Sequence, residues 1–206
     1  WLAPQRVDFS GNGQATDIVF TARNIRQRNP AARPGVFWLE APSDVLSVWS
    51  RHTIDDTLEH PLHVDIGDLS GQGHGRDVVV GGFETEYIHW YSFSDNWEQN
   101  SLPLPQLDGL QPNKVWNVKT ARFGAERDGI LTLVSRNNRS AMVYYEFVGA
   151  QHTANVLKRL EYGHPMDDRI ILHDLDGDGL SEAFIPDSGN GIRNSKFVWI
   201  RFNWRS

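Results

Sequence analysis

Three stretches of this chain share one pattern. "DFSGNGQATDIVF" from Asp8, "DLSGQGHGRDVVV" from Asp68 and "DLDGDGLSEAFI" from Asp174 each run from an acid through spaced glycines to a second acid, then into an apolar run. A fourth, eroded copy, "ARFGAERDGILTLV", puts Arg122 where the first acid stands. Internal repetition constrains a fold more than composition does, because each repeat is one supersecondary unit that must bury its apolar face on its neighbours. The first-loop positions 8, 68, 122 and 174 are 60, 54 and 52 residues apart. That period exceeds the roughly 40 to 45 residues of WD repeats and suits units of four short strands.

Other features recur in the same phase. An aromatic follows each loop on the next apolar segment: Trp38 in "VFWLE", Trp90 in "IHWYS", Tyr145 in "VYYEF" and Trp199 in "VWIRF". A further segment then opens at Trp49 ("WSRHTI"), Trp97 ("WEQNSL"), Leu157 ("LKRLEY") and Trp204 ("WRS"). Each unit therefore reads as four β segments, with units over residues 1–59, 60–111, 112–163 and 164–206. The expected fold is all-β, a β-propeller of four-stranded blades in a single domain. No long amphipathic helix is expected, and "TANVLKRLEYG" reads as strand by its place in the repeat.

The loop at Asp174 invites comparison with an EF-hand, and spacing excludes it. An EF-hand needs a bidentate acid at its twelfth position, which here is Ile185, whereas the closing acid is Glu182 and a strand-like run follows at once. Alternating carboxylates and glycines still suit a hard cation that takes six to eight oxygens. Asp174, Asp176, Asp178 and Glu182, with the Leu180 carbonyl, are the expected calcium ligands, against an acidic turn held only by backbone N–H groups. The first loop offers Asp8, Ser10, Asn12 and Asp17, and the second Asp68, Ser70, Gln72 and Asp77, with less charge and hence weaker binding. In the third unit Arg122 or Arg127 is expected to replace the cation by pairing with Asp128 or Glu126, and no metal is expected.

These features resemble the FG-GAP/VCBS family of calcium-loop β-propellers, related to the integrin α-chain propeller, over nearly the whole chain. Asp174, Asp176, Asp178 and Glu182 match that family's D-x-D-G-D-G-x-x-[DE] loop, while the first two copies carry an inserted residue and neutral replacements. "VFWLEAPSDVLSVWSRHTI" and "HPLHVDIGDLSG" are similar to propellers of carbohydrate-active proteins, including polysaccharide lyases and aldos-2-ulose dehydratases. The resemblance implies calcium as cofactor. Because propellers of the family commonly have seven blades, it also implies a segment of a longer chain, closure of a small ring, or association with further blades or a second copy. For the small ring, "WLAPQRV" is the strand expected to close it, whereas "NWRS", in the middle of a repeat element, favours the segment.

Composition narrows the partners. Twenty basic against 26 acidic residues, with no basic run, leave no electrostatic footprint for nucleic acid. No apolar run reaches the roughly 20 residues of a membrane helix, so membrane insertion is not expected. The absence of cysteine removes disulfides, thiolate zinc sites and thiol nucleophiles. An "NRS" sequon at Asn138 points weakly to an extracellular or secreted setting.

The repeated aromatics are expected to pack between blades, which leaves Trp116, Tyr87 and Tyr162 as ligand-binding candidates. "EHPLH" and "GHPMDDR" precede the loop strands of the second and fourth units. In a propeller such linkers lie near one face, which would gather His60, His63, His164 and Arg169 with Lys114 and Asn117. That cluster suits an anionic sugar, and the histidines or the lysine suit acid/base roles in a lyase. The reading favoured by the sequence is a non-catalytic binding or scaffold domain for a carbohydrate or protein ligand. The alternative is a polysaccharide lyase or sugar dehydratase.

Overall fold

The computed structural model describes residues 4–14, 16–23, 33–94, 96–123, 127–137, 139–149, 151–160, 170–187 and 196–201. His164, Arg169, Tyr162, Asn138, Glu126 and Trp204 lie outside them. The described residues form no helix. Strands β1 (Gln5–Val7), β2 (Asp17–Ala22), β3 (Gly35–Glu40) and β4 (Ser50–Asp55) make one sheet in that order. The second holds β5 (Pro61–Gly67), β6 (Asp77–Gly82), β7 (Tyr87–Ser92) and β8 (Glu98–Pro103), and the third β9 (Lys114–Ala121), β10 (Gly129–Arg136), β11 (Arg139–Val148) and β12 (Gln151–Leu160). The fourth has β13 (Ile171–His173), β14 (Glu182–Asp187) and β15 (Lys196–Ile200). All pairings are antiparallel, so each sheet is a meander that follows the sequence repeat.

Burial explains the strand sequences. The "DVVVGG" of β6 and the "GILTLVS" part of β10 are buried throughout because another sheet covers each face. Strands covered on both faces read as continuous apolar runs. β4 and β8 are mostly polar and exposed, as befits the edges of their sheets.

Register aligns the units. The closing acid pairs with the residue just before the loop's first acid: Asp17 with Val7, Asp77 with Gly67, Glu182 with His173. Two residues on, the second strand meets the aromatic of the third: Val19 with Trp38, Val79 with Trp90, Phe184 with Trp199. In the third sheet Ala121, which precedes Arg122, pairs with Gly129, and Leu131 then meets Tyr144. The structure therefore corrects the expected alignment by one residue. Tyr144, not Tyr145, holds the repeated aromatic position, and Gly129 holds the closing position. The shorter third loop causes the shift, and no acid would fit there, since a Cβ on Gly129 would lie 2.4 Å from Tyr144 Cε2. Tyr145 packs against the second sheet instead, its hydroxyl donating to the Pro103 carbonyl at 2.8 Å.

The core lies between sheets. Val7, Val19 and Val36 meet Val64, Val78 and Tyr91 between the first and second sheets. Val79, Ile88 and Leu102 meet Val118, Ile130 and Tyr145 between the second and third. Leu131, Met142 and Tyr144 meet Ile170, Ala183 and Ile185 between the third and fourth. Among the described residues no cluster joins the fourth sheet to the first. The residue after each first-loop position shows the asymmetry. Phe9, Leu69 and Phe123 are buried, whereas Leu175 is 54% exposed and Trp199 58%.

Polar contacts join the inner strands of successive sheets. Asp65 of β5 accepts from the Thr120 N–H of β9 at 2.8 Å and lies 3.4 Å from Lys119 Nζ. Burial pushes its carboxyl above the ordinary value, against the pull of Lys119. The Thr120 hydroxyl donates to the Ile66 carbonyl at 2.5 Å, and that of Thr21 to the Leu62 carbonyl at 2.9 Å.

Tyr144→Ala is expected to destabilise the chain by about 3 to 5 kcal/mol, the range for emptying a packed aromatic site. Trp199→Ala, at the same repeat position on an uncovered face, is expected to cost about 1 kcal/mol or less. Urea unfolding of both variants checks this, and equal losses would contradict the assigned phase.

Candidate functional site

The loop after β13 gathers its acids. One carboxylate oxygen from each of Asp174, Asp176 and Glu182 lies within 4.8 Å of the others, and the remaining loops gather no such trio of acids, histidines or cysteines among the described residues. The backbone shapes this cradle. Gly177 and Gly179 sit at φ 74° and 84°, which side-chain-bearing residues rarely adopt, and their N–H groups donate to Asp174 Oδ1 and Oδ2 at 2.8 and 2.9 Å. Glu182 is 2% exposed and accepts from the Leu175 N–H at 2.7 Å. Asp178 stands outside the trio and accepts from the Leu180 N–H at 2.9 Å. The Arg201 guanidinium contacts Asp176 and lies 3.8 Å from Asp178. These three carboxylates are an all-oxygen donor set of the kind that fits a hard divalent cation.

The first two loops keep the fold of this cradle with less charge. Asp8 accepts from the Asn12 and Gly13 N–H groups at 3.0 and 2.9 Å, and Asp68 accepts from Gly73 at 3.0 Å with both oxygens. The closing acids are fully buried and bridge two segments. Asp17 takes the N–H groups of Ser10 and Ala41 at 2.8 and 3.0 Å, and Asp77 those of Ser70 and Phe93 at 2.7 and 3.0 Å. An arginine from the following sheet supplies positive charge to each loop. Arg76 lies 3.7 Å from Asp8, and Arg127, which packs on Gly71, feels Asp68 and Asp77 while burial lowers its own pKa. Each guanidinium stacks on an aromatic of its own sheet, Arg76 on Phe93 at 5.2 Å and Arg127 on Phe147 at 4.9 Å.

Arg127 thus leans over the second loop at Gly71, and no ion pair joins it to Asp128 among the described residues, a correction to the expected pairing of those two. Asp128 is itself bonded across to the second loop, accepting from the Asp68 N–H at 2.8 Å and donating its own N–H to the Asp68 carbonyl at 3.1 Å.

Antiparallel pairing puts a second group of residues at the opposite end of the sheets. His60 directly precedes β5, Lys114 opens β9, Arg23 follows β2 and Phe83 follows β6. His60 and Lys114 share one repeat position, as do Arg23 and Phe83. The Arg23 guanidinium lies 5.1 Å from the Phe83 ring centre, and Lys114 Nζ lies 5.8 Å from the ring centres of both Phe83 and Trp116. Phe83 and Trp116 meet edge to face at 4.8 Å. A bulge in β9 between its pairings at Val115 and Asn117 turns Trp116 out of the ladder, and its indole N–H donates to Ser135 Oγ at 2.6 Å. Beside this group, a small, partly open pocket of about 30 Å³ has His60, Phe83, Thr85 and His89 on a wall shared with Leu58, Pro61 and Val80. His60 Nε2 lies 3.0 Å from Glu84.

The structure thus brings together three of the expected ligand residues, His60, Lys114 and Trp116. Tyr87 is 45% exposed on β7 and its ring meets His89. His63 and Asn117 are buried at 9% and 7% exposure, and neither lines the pocket. Arg23, Phe83 and His89 were not singled out from sequence, because each is a lone residue whose relevance comes from a neighbouring sheet. The signal available was the repeat position that Arg23 shares with Phe83 at the ends of β2 and β6.

No protein-family model matches the chain, and no curated protein sequence matches it.

Burial, with Lys119 adding to it, lowers the His63 pKa to about 4, and its Nε2 is buried without a hydrogen-bond partner. A histidine depressed in the fold contributes stability that is full above its unfolded value near 6.5 and is lost as pH falls toward 4. The loss is expected to approach about 3 kcal/mol. Unfolding of wild type and His63→Leu at pH 7 and pH 4.5 measures it, the variant being expected to lose less. The difference between the two isolates His63 from Asp65, whose shift runs the other way.

Proposed function

We propose that this chain is a calcium-stabilised, β-propeller-type binding domain of the FG-GAP/VCBS kind, working as a non-catalytic scaffold for a carbohydrate or protein ligand in an extracellular setting. The observation that carries the reading is the phase of the acid loops. In three sheets the closing acid pairs with the residue before the first acid, and the residue two beyond it meets the repeated aromatic. Loop chemistry and inter-sheet packing are thereby locked to one repeat, as propeller blades require. Cores shared only between consecutive sheets support the same reading. Calcium is the cation proposed for Asp174, Asp176 and Glu182, because an all-oxygen set with flexible glycines suits its size and coordination number.

In this proposal the residues of the last loop do three things. Asp174 and Glu182 are held in place by backbone N–H groups and so present oxygens at fixed positions. Asp176 swings between Arg201 and the cation. The cation ties β13 to β14, stabilising the sheet that, among the described residues, has a covered face on one side only. The lyase reading draws no support from His63, which is buried away from the pocket.

A ligand that binds only the folded chain adds about 2.7 kcal/mol at a hundredfold excess over its Kd. Calcium at that excess is expected to raise the unfolding midpoint of wild type by roughly 5 to 10 °C, and excess chelator is expected to reverse it. Asp176→Ala should lose most of this shift, whereas Asp8→Ala should keep it. No shift in wild type, or an unchanged shift in Asp176→Ala, would overturn the calcium assignment.

A further inference from the structure

We propose that two copies of this chain associate head to tail, the bare face of the fourth sheet of each seating on the bare face of the first sheet of the other, so that eight sheets close a ring. The inference rests on the propeller-type reading above and gives it a partner.

Position in the repeat decides which neighbour a side chain meets. Two residues beyond the closing position the side chain faces the following sheet, and Val19, Val79 and Leu131 are all fully buried there. One and three residues beyond it the side chains face the preceding sheet. Val78 with Val80, Ile130, and Ala183 with Ile185 are buried against it in turn. At the two ends the same rule leaves apolar faces bare. The forward residue of the fourth sheet, Phe184, is half-buried, and its partners in register, Ile171 and Trp199, are 56% and 58% exposed. The backward residues of the first sheet, Ile18 and Phe20, are half-buried, so β2 alternates between buried and half-buried positions where β6 is buried throughout.

These two faces are the halves of one junction. A forward face is shaped by the repeat to take a backward face, and among the described residues the first sheet carries the bare one. Closure of a single chain on itself would cover Ile171 and Trp199, and their exposure shows that it does not. The first sheet of a second copy therefore fits the fourth sheet of the first. Charge agrees with this seating. Arg6, exposed and paired in register with Ile18, brings positive charge to a face bordered by Asp174, Asp176 and Asp178. Area favours a closed pair over an open one. A face of four strands about 4.8 Å apart and about six residues long covers roughly 400 Å². That is about half of the roughly 800 Å² per partner that a stable complex buries, and a closed pair uses two faces of each copy. Eight sheets also fall within the roughly four to eight blades of known propellers.

Sedimentation equilibrium of the full chain in calcium-containing buffer tests the proposal. Wild type at about 100 µM is expected to have the mass of two chains, since interfaces of this size bind at micromolar strength or tighter, and to stop there as concentration rises. Trp199→Lys and Ile18→Glu should each weaken pairing by about a hundredfold or more, because each puts an unpaired charge into a covered junction. Their equimolar mixture should pair again, one junction keeping two native faces and the other joining the introduced charges of opposite sign. Should Ile18→Glu lose its unfolding transition, Leu39→Glu replaces it on the same face. Well below the pair's dissociation constant the faces are bare, which is the condition under which Trp199→Ala costs little. A wild type that stays a single chain at the higher concentration, a mass that climbs past two chains, pairing unchanged in both variants, or a mixture that pairs no better than either variant would overturn the proposal. A single chain that keeps its calcium shift sinks this inference alone, and a pair without that shift sinks the calcium reading alone.

Discussion

Everything in this chain is arranged around a few buried carboxylates that end the acid loops. An ionised carboxyl group taken out of water is strongly unfavourable unless donors surround it, and Asp17 and Asp77 find theirs in two segments at once. Each takes one N–H from its own loop and one from the segment just after the third strand. That double bond fixes where the loop sits relative to the third strand. A slip of one residue would strand the carboxylate and turn the apolar side chains to the wrong face. The facing of Val19 and Val79 toward the next sheet follows from the placement of the acid two positions earlier.

The loops then reach one another through arginine. Arg76 and Arg127 each leave their own sheet, lie across an aromatic ring and deliver charge to the acids of the loop before. The first two loops are already partly neutralised from a neighbour. The loop at Asp174 has Arg201 of its own sheet, exposed and close to Asp176 and Asp178 rather than to Asp174. The differing carboxylate count among the loops thus matches a differing supply of fixed positive charge. The third loop has lost both acids and contributes its arginine and Asp128 to the second.

Much of this was legible in the sequence. Strand number, strand order within a unit and the positions of Trp38, Trp90 and Trp199 follow from the period and phase of the repeat, because one register satisfies all the units. The acid trio was legible because its members lie within one short loop. The third unit was misread by one residue, since adjacent tyrosines fit the pattern equally and only the close approach of Gly129 to Tyr144 decides between them. The cation group was half legible. His60, just before β5, and Lys114 and Trp116, at the start of β9, sit at the end of the units where the repeat places them, but Arg23 and Phe83 acquire meaning only through distances between sheets, which no local pattern encodes. His63 reads as a member of the same linker cluster, and its burial away from the pocket takes it out of that group.

The placement of the core entirely between sheets bears on how the chain comes apart. No sheet has an interior of its own, so its stability is a property of its junctions, and the whole behaves as a row of nearest-neighbour couplings in the manner of solenoid repeats. Among the described residues the middle sheets each share in two such junctions and the outer ones in one. Opening should therefore begin at the outer sheets and travel inward, with the third sheet losing the cover of Tyr144 before the second loses that of Trp90. Amide protons of β14 would then exchange through a local fluctuation, whereas those of β6 and β10 would wait for the row to dissolve from its ends.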